Sequence, residues 1–379
     1  MSWTKRILAA TAAMVVLAVA SFAFAISYDA PCPASSNSVQ RAGTMQAFIA
    51  RCYGAPDVLA LVEVAKPLPA NNEVLIEVRA ISVNPADWHR LRGSPYFVRL
   101  PDGFGAPEDE RVGGDIAGVV AAVGSDVKVF KPGDEVFGRA GGGFAEFAVA
   151  LEDRVALKPA NVSFEQAAAI PVAAITALQA LRDRAQVQPG QKVLINGASG
   201  GVGTFAVQIA KVLGAEVTGV CSTRNVELVR SLGADHVIDY TREDFTRMAE
   251  RYDVIIDNVG NHSLSDLRGS LEPSGELVVI GSASRDPWIK PVLGMIAVNV
   301  MARFVDQEMG FLMAKMKAAD LEVLAGFVQD GKLTSVIDRR YPFNELPAAL
   351  AYLEEGRARG KVVVNVEAVT LPSQTSRIR

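Results

Sequence analysis

The sequence predicts an α/β chain, with a β-rich domain, then a doubly wound parallel-sheet domain, and a hydrophobic helix at the N-terminus. Three observations predict this. Short strand-like runs broken by turn signals fill residues 45–150, helical and strand patterns alternate from Ser163 onward, and Ile7 to Ile26 carries no charge. The 379 residues suit about two domains. Half are hydrophobic and 21% charged, enough apolar content for a full core. The net charge of −4, with no basic run, argues against a nucleic-acid partner.

The N-terminal run follows Lys5 and Arg6. As a helix its residues would rise about 30 Å, the thickness of a hydrocarbon core. A signal peptide usually has an apolar region of only about 7–15 residues. The length therefore favours a single membrane anchor over residues 1–26. Ala23-Phe24-Ala25 resembles a small-x-small cleavage site, so a cleaved signal and a secreted or periplasmic body is the alternative. Basic residues ahead of the span favour an exported body. The stretch after the span carries only Asp29 and Arg41, so the charge bias is small and the sequence leaves the side open.

Residues 27–44, rich in Ala, Ser and Pro, read as a linker. In the β-rich part, strands are expected at Gln46–Arg51, Val74–Ser82, Ile116–Val123, Glu135–Phe137 and Ala145–Ala150. Lys131-Pro132-Gly133-Asp134 and Gly141-Gly142-Gly143 supply turns. Further on, Phe164–Leu181 reads as an Ala-rich helix broken near Pro171. Strands at Lys192–Asn196, Glu216–Cys221, His236–Ile238, Val254–Asp257 and Glu276–Ile280 alternate with helices at Val202–Leu213, Val226–Leu232 and Arg242–Arg251. That alternation predicts a parallel sheet covered on both faces. Helices near Gln307–Gln329 and Glu345–Glu355 and a strand Val362–Val366 complete the pattern. Cys32, Cys52 and Cys221 are far apart without CxxC spacing, and are expected as buried thiols rather than a disulfide framework or a zinc site.

The chemistry-bearing motif is Asn196-Gly197-Ala198-Ser199-Gly200-Gly201-Val202-Gly203, an A-x-G-x-x-G turn between a strand and a helix. A small residue permits the tight turn, Gly200 lets a pyrophosphate approach the backbone, and Gly203 lets helix and strand pack closely. The helix start offers unpaired N–H groups to the phosphates. A nicotinamide dinucleotide is the ligand this pattern predicts. Binders of NAD usually carry Asp or Glu at the end of the second strand, to grip the ribose hydroxyls. This chain has Ser222-Thr223-Arg224 there. Arg224 can pair with a 2′-phosphate while Ser222 and Thr223 donate to it, so NADPH is expected over NADH.

Six motifs in order resemble the medium-chain dehydrogenase/reductase superfamily, in its zinc-free quinone-oxidoreductase-like branch. They are Tyr53-Gly54-Ala55-Pro56-Asp57-Val58-Leu59, Val83-Asn84-Pro85-Ala86-Asp87-Trp88, Gly113-Gly114-Asp115-Ile116-Ala117-Gly118, Pro132-Gly133-Asp134-Glu135-Val136-Phe137-Gly138, the Gly-rich turn, and Leu232-Gly233-Ala234-Asp235-His236-Val237-Ile238-Asp239-Tyr240. The resemblance implies a GroES-like catalytic domain over residues 45–165, a Rossmann cofactor domain over 166–302, a segment 303–367 returning to the first domain, and a tail 368–379. It also implies cofactor contacts from Thr176, Tyr240, Asn258, Val259, Gly260, Gly281, Ser282 and Lys361, beside Ala198 to Gly203, and a position near the nicotinamide for Asn84. Members often form homodimers through the edge strands of the Rossmann sheet, and that pairing stays open here.

The zinc-dependent branch places its ligands at positions that fall on Asn84, Gly114 and, in register from Thr176, near Val172. None is a good zinc ligand, and no metal is expected. Without a Lewis acid, hydride must go to an electron-poor acceptor. Quinones and α,β-unsaturated carbonyls fit, with a neutral donor such as the Asn84 amide or the cofactor's ribose hydroxyls for the developing oxyanion. The N-terminal anchor would suit a lipophilic acceptor. His89 or Tyr96 could donate the final proton, with water as the plain alternative. Asp87 and Asp115 read as loop-bracing carboxylates ahead of an acid/base pair. Two other readings stand beside this one. They are a zinc-free NADP-dependent alcohol or carbonyl oxidoreductase, and a non-catalytic NADPH-binding scaffold or sensor.

Overall fold

The computed structural model describes residues 3–33, 43–281, 286–288 and 290–366, without some side chains of two helices. A 25-residue helix, α1 (Trp3–Ser27), comes first. Then follow β1 (Thr44–Ile49), β2 (Ala60–Ala65), β3 (Glu73–Val83), α2 (Pro85–Arg92), β4 (Asp115–Val123), β5 (Glu135–Arg139), β6 (Phe147–Leu151) and β7 (Val155–Leu157). Helices α3 (Phe164–Ala168) and α4 (Pro171–Leu178) lead into the second unit. It contains β8 (Lys192–Asn196), α5 (Gly201–Val212), β9 (Glu216–Cys221), α6 (Val226–Ser231), β10 (His236–Asp239), β11 (Tyr252–Asp257), α7 (Leu264–Gly269), β12 (Leu271–Val279), α8 (Lys290–Met301) and β13 (Glu308–Phe311). The chain ends with α9 (Ala318–Gln329), β14 (Ile337–Pro342), α10 (Leu346–Glu354) and β15 (Lys361–Asn365).

Strands β10-β9-β8-β11-β12-β13 form one parallel sheet in that spatial order. The order reverses between β8 and β11, so a crevice opens where their carboxyl ends diverge. Strands β14-β15-β3-β4-β5-β7 form the second sheet, with β6 on β3, and β1 and β2 make a separate hairpin. The C-terminal segment is shared between the two sheets. β13 still extends the parallel sheet, whereas α9 packs against β7 and α4, with Leu321, Leu324 and Val328 in a core that also takes in Ala117, Phe137 and Ala156 of the β-rich unit. Only β14 and β15 join the first sheet, where Val362–Asn365 pair antiparallel with Ala80–Val83. The Ala-rich pattern of α3 and α4 lets Ala168, Ala174 and Ala177 sit fully buried against the sheets and α5, since small side chains allow close approach.

Two expected helices differ. Arg242–Arg251 forms only a single 3-10 turn, Phe245–Arg247, capped by the Asp244 carboxylate on the Thr246 N–H. The segment is charged on all sides and buries only Phe245, so it has no apolar stripe to sustain a longer helix. Gln307–Gln329 divides into β13 and α9, because the free edge of β12 captures Glu308–Phe311 as a parallel strand.

One correction concerns the N-terminal region. Cys32 and Cys52 form a disulfide with Cα atoms 5.1 Å apart, whereas Cys221 is the buried free thiol the sequence led us to expect. Tertiary contact brings them together. Residues 28–33, read as linker, run along the β-rich unit, with Ala30 N–H donating to Gly105 O at 2.9 Å. Arg99, 1% exposed, closes this clasp. Its guanidinium donates to Ile26 O and Tyr28 O at the end of α1, pairs with Asp29 at 2.7 Å and stacks on Tyr53. Ile7–Ile26 lies within α1, but side chains 4–6, 8–10 and 12 fall outside the described residues. Among the described residues no helix is long and apolar enough to cross a membrane.

Candidate active site

Strand β8 carries Asn196 to the carboxyl edge of the parallel sheet, and the chain turns at Gly197, whose φ of +79° is left-handed. Gly200 is the N-cap of α5, so the first N–H groups of that helix face the turn. A Cβ on Gly203 would stand 2.1 Å from Gly197 O and 2.8 Å from Ala198, an approach of helix to turn that only glycine allows. A Cβ on Gly200 would meet nothing nearer than Gly197 O at 3.4 Å. The chain therefore leaves the space before Gly200 free, at the positive end of a 12-residue helix.

The loop after β11 is locked to this turn by a buried carboxylate. Asp257 Oδ1 accepts from Asn196 Nδ2 at 2.9 Å, Val259 N–H at 3.1 Å and Gly260 N–H at 3.0 Å. Asn258 Nδ2 donates to Asn196 O, whereas its Oδ1 is buried without a partner. Gly281 packs so tightly that a Cβ there would lie 1.9 Å from Asn258 O. Ser282 lies outside the described residues. After β9, Asn225 Nδ2 donates to Ser199 Oγ and Ser222 Oγ, and its Oδ1 is likewise orphaned. Orphaned acceptors beside a free helix start fit a hydroxyl-bearing phosphate ligand such as a dinucleotide.

The rim after β9 holds a carboxylate that its own strand lacks. Thr223 Oγ1 donates to Asp239 Oδ2 of β10 at 2.6 Å. That bond and those from Thr241 hold the Asp239 carboxyl below its ordinary range, so it is ionised at neutral pH. Arg242 lies 3.6 Å from it. The Arg224 guanidinium is exposed and donates to Arg357 O at 2.8 Å, and Tyr240 is exposed on the same rim.

Where the two domains meet, Asn84 caps α2 with its N–H bonded to Asp87 Oδ2 at 2.7 Å. Its side-chain amide is fully engaged, which corrects its expected role as a free oxyanion donor. Nδ2 donates to Ser82 O and to Asp115 Oδ2 at 2.9 Å, while Oδ1 accepts from Lys361 Nζ at 2.5 Å. Asp115 Oδ2 also accepts from Val172 N–H, and its Oδ1 is buried without a partner. Burial pushes the Asp115 carboxyl up and the Lys361 ammonium down, each opposed by the other's charge. Thr176 Oγ1 is spent within α4 on Val172 O at 2.6 Å. Burial also lowers the His89 pKa; its Nδ1 contacts Ser94 O and its ring stacks on Trp88. Tyr96 bridges the domains, with its N–H on Pro287 O and its ring 4.7 Å from Trp288.

The loops meet this junction directly. Gly360 N–H donates to Ser199 O at 2.9 Å, and Lys361 Cδ would lie 3.2 Å from a Cβ on Gly201. The three positions aligned with zinc ligands offer no zinc-binding side chain. Asn84, Gly114 and Val172 offer an engaged amide, no side chain and an alkyl group. Among the described residues no cluster of three His, Cys, Asp or Glu could hold a metal. Sequence reasoning missed Asn196, Asn225 and Asp257 as braces. The available signal was a polar residue closing an apolar strand, as in Val-Leu-Ile-Asn and Val-Ile-Ile-Asp.

Two families match, "Alcohol dehydrogenase GroES-like domain" over residues 70–160 and "Zinc-binding dehydrogenase" over 232–364. A chloroplast envelope quinone oxidoreductase homolog of Arabidopsis thaliana is 36% identical over 318 residues, covering 80% of this chain and 92% of that protein. The 2-methylene-furan-3-one reductase of Solanum lycopersicum is 36% identical over 346 residues, covering 87% and 81%. Among solved structures, the Coxiella burnetii quinone oxidoreductase superposes with a TM-score of 0.74 at 32% identity, over 86% of this chain and all of that one. The Escherichia coli quinone oxidoreductase complexed with NADPH gives 0.73 at 26% identity, over 85% and 100%. With this fold, phosphate turn and set of relatives, the chain belongs to the medium-chain dehydrogenase/reductase superfamily, in its quinone-oxidoreductase-like branch, and is an NAD(P)H-dependent oxidoreductase.

Proposed function

We propose that the chain uses NADPH to reduce a quinone or an α,β-unsaturated carbonyl without zinc. The observation that carries this reading is the junction of the phosphate turn with Lys361 and Asn84, which opens a dinucleotide site onto the β-rich domain. The residues from Ala198 to Gly203 would receive the pyrophosphate, Asn225, Asn258, Val259 and Gly260 would line the adenosine and ribose path, and Gly281 would lie beside the nicotinamide. The cations Arg224 and Arg242, with Ser222 and Tyr240, favour a 2′-phosphate, whereas the Thr223 hydroxyl, expected as a further donor to it, is spent with Thr241 on the Asp239 carboxylate. Bound NADPH would supply a hydride, which needs an acceptor that is already electron-poor. The protein orients that acceptor and excludes water. Water supplies the last proton, since the Nδ1 of His89 is engaged and its ring is half-buried.

The test is full-length protein with its metal content measured, assayed for NADPH and NADH oxidation over a panel of quinones and enones. Turnover with NADPH and no stoichiometric metal is the expected result. Alcohol-dependent NADP reduction would favour the alcohol or carbonyl reading, and tight NADPH binding without turnover would favour a sensor.

For Ile7–Ile26 we keep the reading of a membrane anchor and, with it, a lipophilic acceptor. Met14 to Leu17, Val19, Phe22 and Phe24 are all exposed apolar side chains that a bilayer would cover. Lys5 and Arg6 before the run and the disulfide after it favour a body on the oxidising, exported face. Carbonate extraction of membranes carrying the full chain tests the anchor, and release into the supernatant would refute it. A homodimer through the open edge of β13 remains part of this proposal.

A further inference from the structure

We propose that Lys361 is the cationic donor for the oxygen that gains negative charge on reduction, and that Asp115 is a positioning residue that holds Lys361 there through the Asn84 amide. The inference rests on the functional reading above and adds named roles to it. The stem of Lys361 lies over the start of α5, with Cδ beside Gly201, but its head passes that turn and ends in the β-rich domain. Nζ donates to Asn84 Oδ1 at 2.5 Å and to Val83 O at 3.4 Å. An ammonium has three protons and two are engaged here; Lys361 is 3% exposed, so the third is held at the domain junction, where the acceptor's oxygen would have to come to it.

The amide between them can adopt only one orientation. With Oδ1 toward the ammonium and Nδ2 toward the Asp115 carboxylate, both contacts are favourable. Flipped, it would set donor against donor and acceptor against acceptor. The carboxylate thus fixes the amide, and the amide fixes the ammonium. Asp115 is itself held by Val172 N–H at the first turn of α4, so three separate segments of the junction meet on one group. Asp87 and Arg139 are the other charged groups acting on Asp115 and its neighbours. Arg139 lies on the Gly114 side, where a Cβ would be 3.0 Å from its Cζ. The amide of Asn84 has no proton to spare, so the oxyanion role passes to Lys361. A preorganised donor at that point acts on charge that appears only during hydride transfer, and so raises kcat rather than affinity.

The experiment compares full-length wild type with Lys361→Met, Asp115→Asn and the double variant. It reads NADPH Kd by fluorescence, kcat and KM for 1,4-benzoquinone, and thermal melting. Lys361→Met should lower kcat about 100-fold, the loss typical of removing one such donor, with NADPH Kd within about threefold of wild type. Asp115→Asn should lower kcat about tenfold or more, and the double variant should be no slower than Lys361→Met alone, because residues acting as one unit are not additive. A rise in NADPH Kd matching the loss in kcat/KM, with kcat at saturation intact, would make Lys361 a phosphate ligand only and overturn the proposal. Additive losses in the double variant would overturn the role of Asp115. If Asp115→Asn does not fold, Asn84→Ala replaces it: removing the amide that links the two should lower kcat about tenfold or more, and an unchanged kcat would overturn the role of Asp115. Wild type that binds no NADPH would instead refute the functional reading beneath.

Discussion

Replacing Gly200 by Ala separates the needs of the ligand from those of the fold. In the chain alone the new Cβ would sit 3.4 Å from Gly197 O, an ordinary contact. Gly200 has an extended backbone, φ −83° and ψ 178°, that alanine adopts without strain. Losing glycine at the N-cap costs roughly 0.5 kcal/mol or slightly more, and the reduced freedom of the unfolded chain returns about 0.4–1 kcal/mol. The two nearly cancel, so Tm should stay within about 2 °C. A pyrophosphate, however, must approach the backbone at Gly200, where the methyl now projects. A displacement that weakens its N–H contacts by about 1.4 kcal/mol raises the NADPH Kd about tenfold. Gly203→Ala is the control. Its Cβ would be 2.1 Å from Gly197 O, which forces helix and strand apart, destabilises by about 1–3 kcal/mol and lowers Tm with or without ligand. Differential scanning calorimetry beside a fluorescence titration reads both effects. Equal Tm losses in the two variants, or an unchanged Kd for Gly200→Ala, would refute the assignment of this turn to phosphate.

Arg224→Ala should raise the NADPH KM by about tenfold and leave the NADH KM within about twofold, and equal changes for both would remove Arg224 from the 2′-phosphate site. Alkylation in denaturant followed by intact mass should label Cys221 alone before reduction and all three cysteines after it; three labels without reductant would contradict the Cys32–Cys52 bond. Burial raises the Asp87 pKa from 3.8 to about 6. A carboxyl with a raised folded pKa contributes stability below its unfolded pKa and loses that contribution as pH rises through the folded value. Stability should therefore decline by roughly 1–2 kcal/mol between pH 4 and 6 on this account, and Asp87→Asn should flatten that slope in urea titrations. Arg99→Met removes the bonds that cap α1, so limited proteolysis should cut near residue 33 sooner while 1,4-benzoquinone turnover holds within about twofold.

Local periodicity and turn chemistry were enough to determine the doubly wound unit. Val193–Ile195 and Val254–Ile256 announce buried parallel strands, and the glycines from 197 to 203 fix a tight turn onto a helix, because both depend on neighbours close in sequence. The same locality explains why the residues after β9 could be named, whereas Asn84 and Lys361 were implied only by the family resemblance of their motifs. Tertiary structure decided what depends on distant partners. It turned Asn84 from a free donor into a bridge between Lys361 and Asp115, residues 277 and 31 positions away. It set Asp239 against Thr223, joined Cys32 to Cys52, and drew Glu308–Phe311 into a sheet edge instead of a helix. Hydrogen-bond saturation, charge pairing and strand capture are properties of groups in space, and a linear pattern carries no record of which groups will meet.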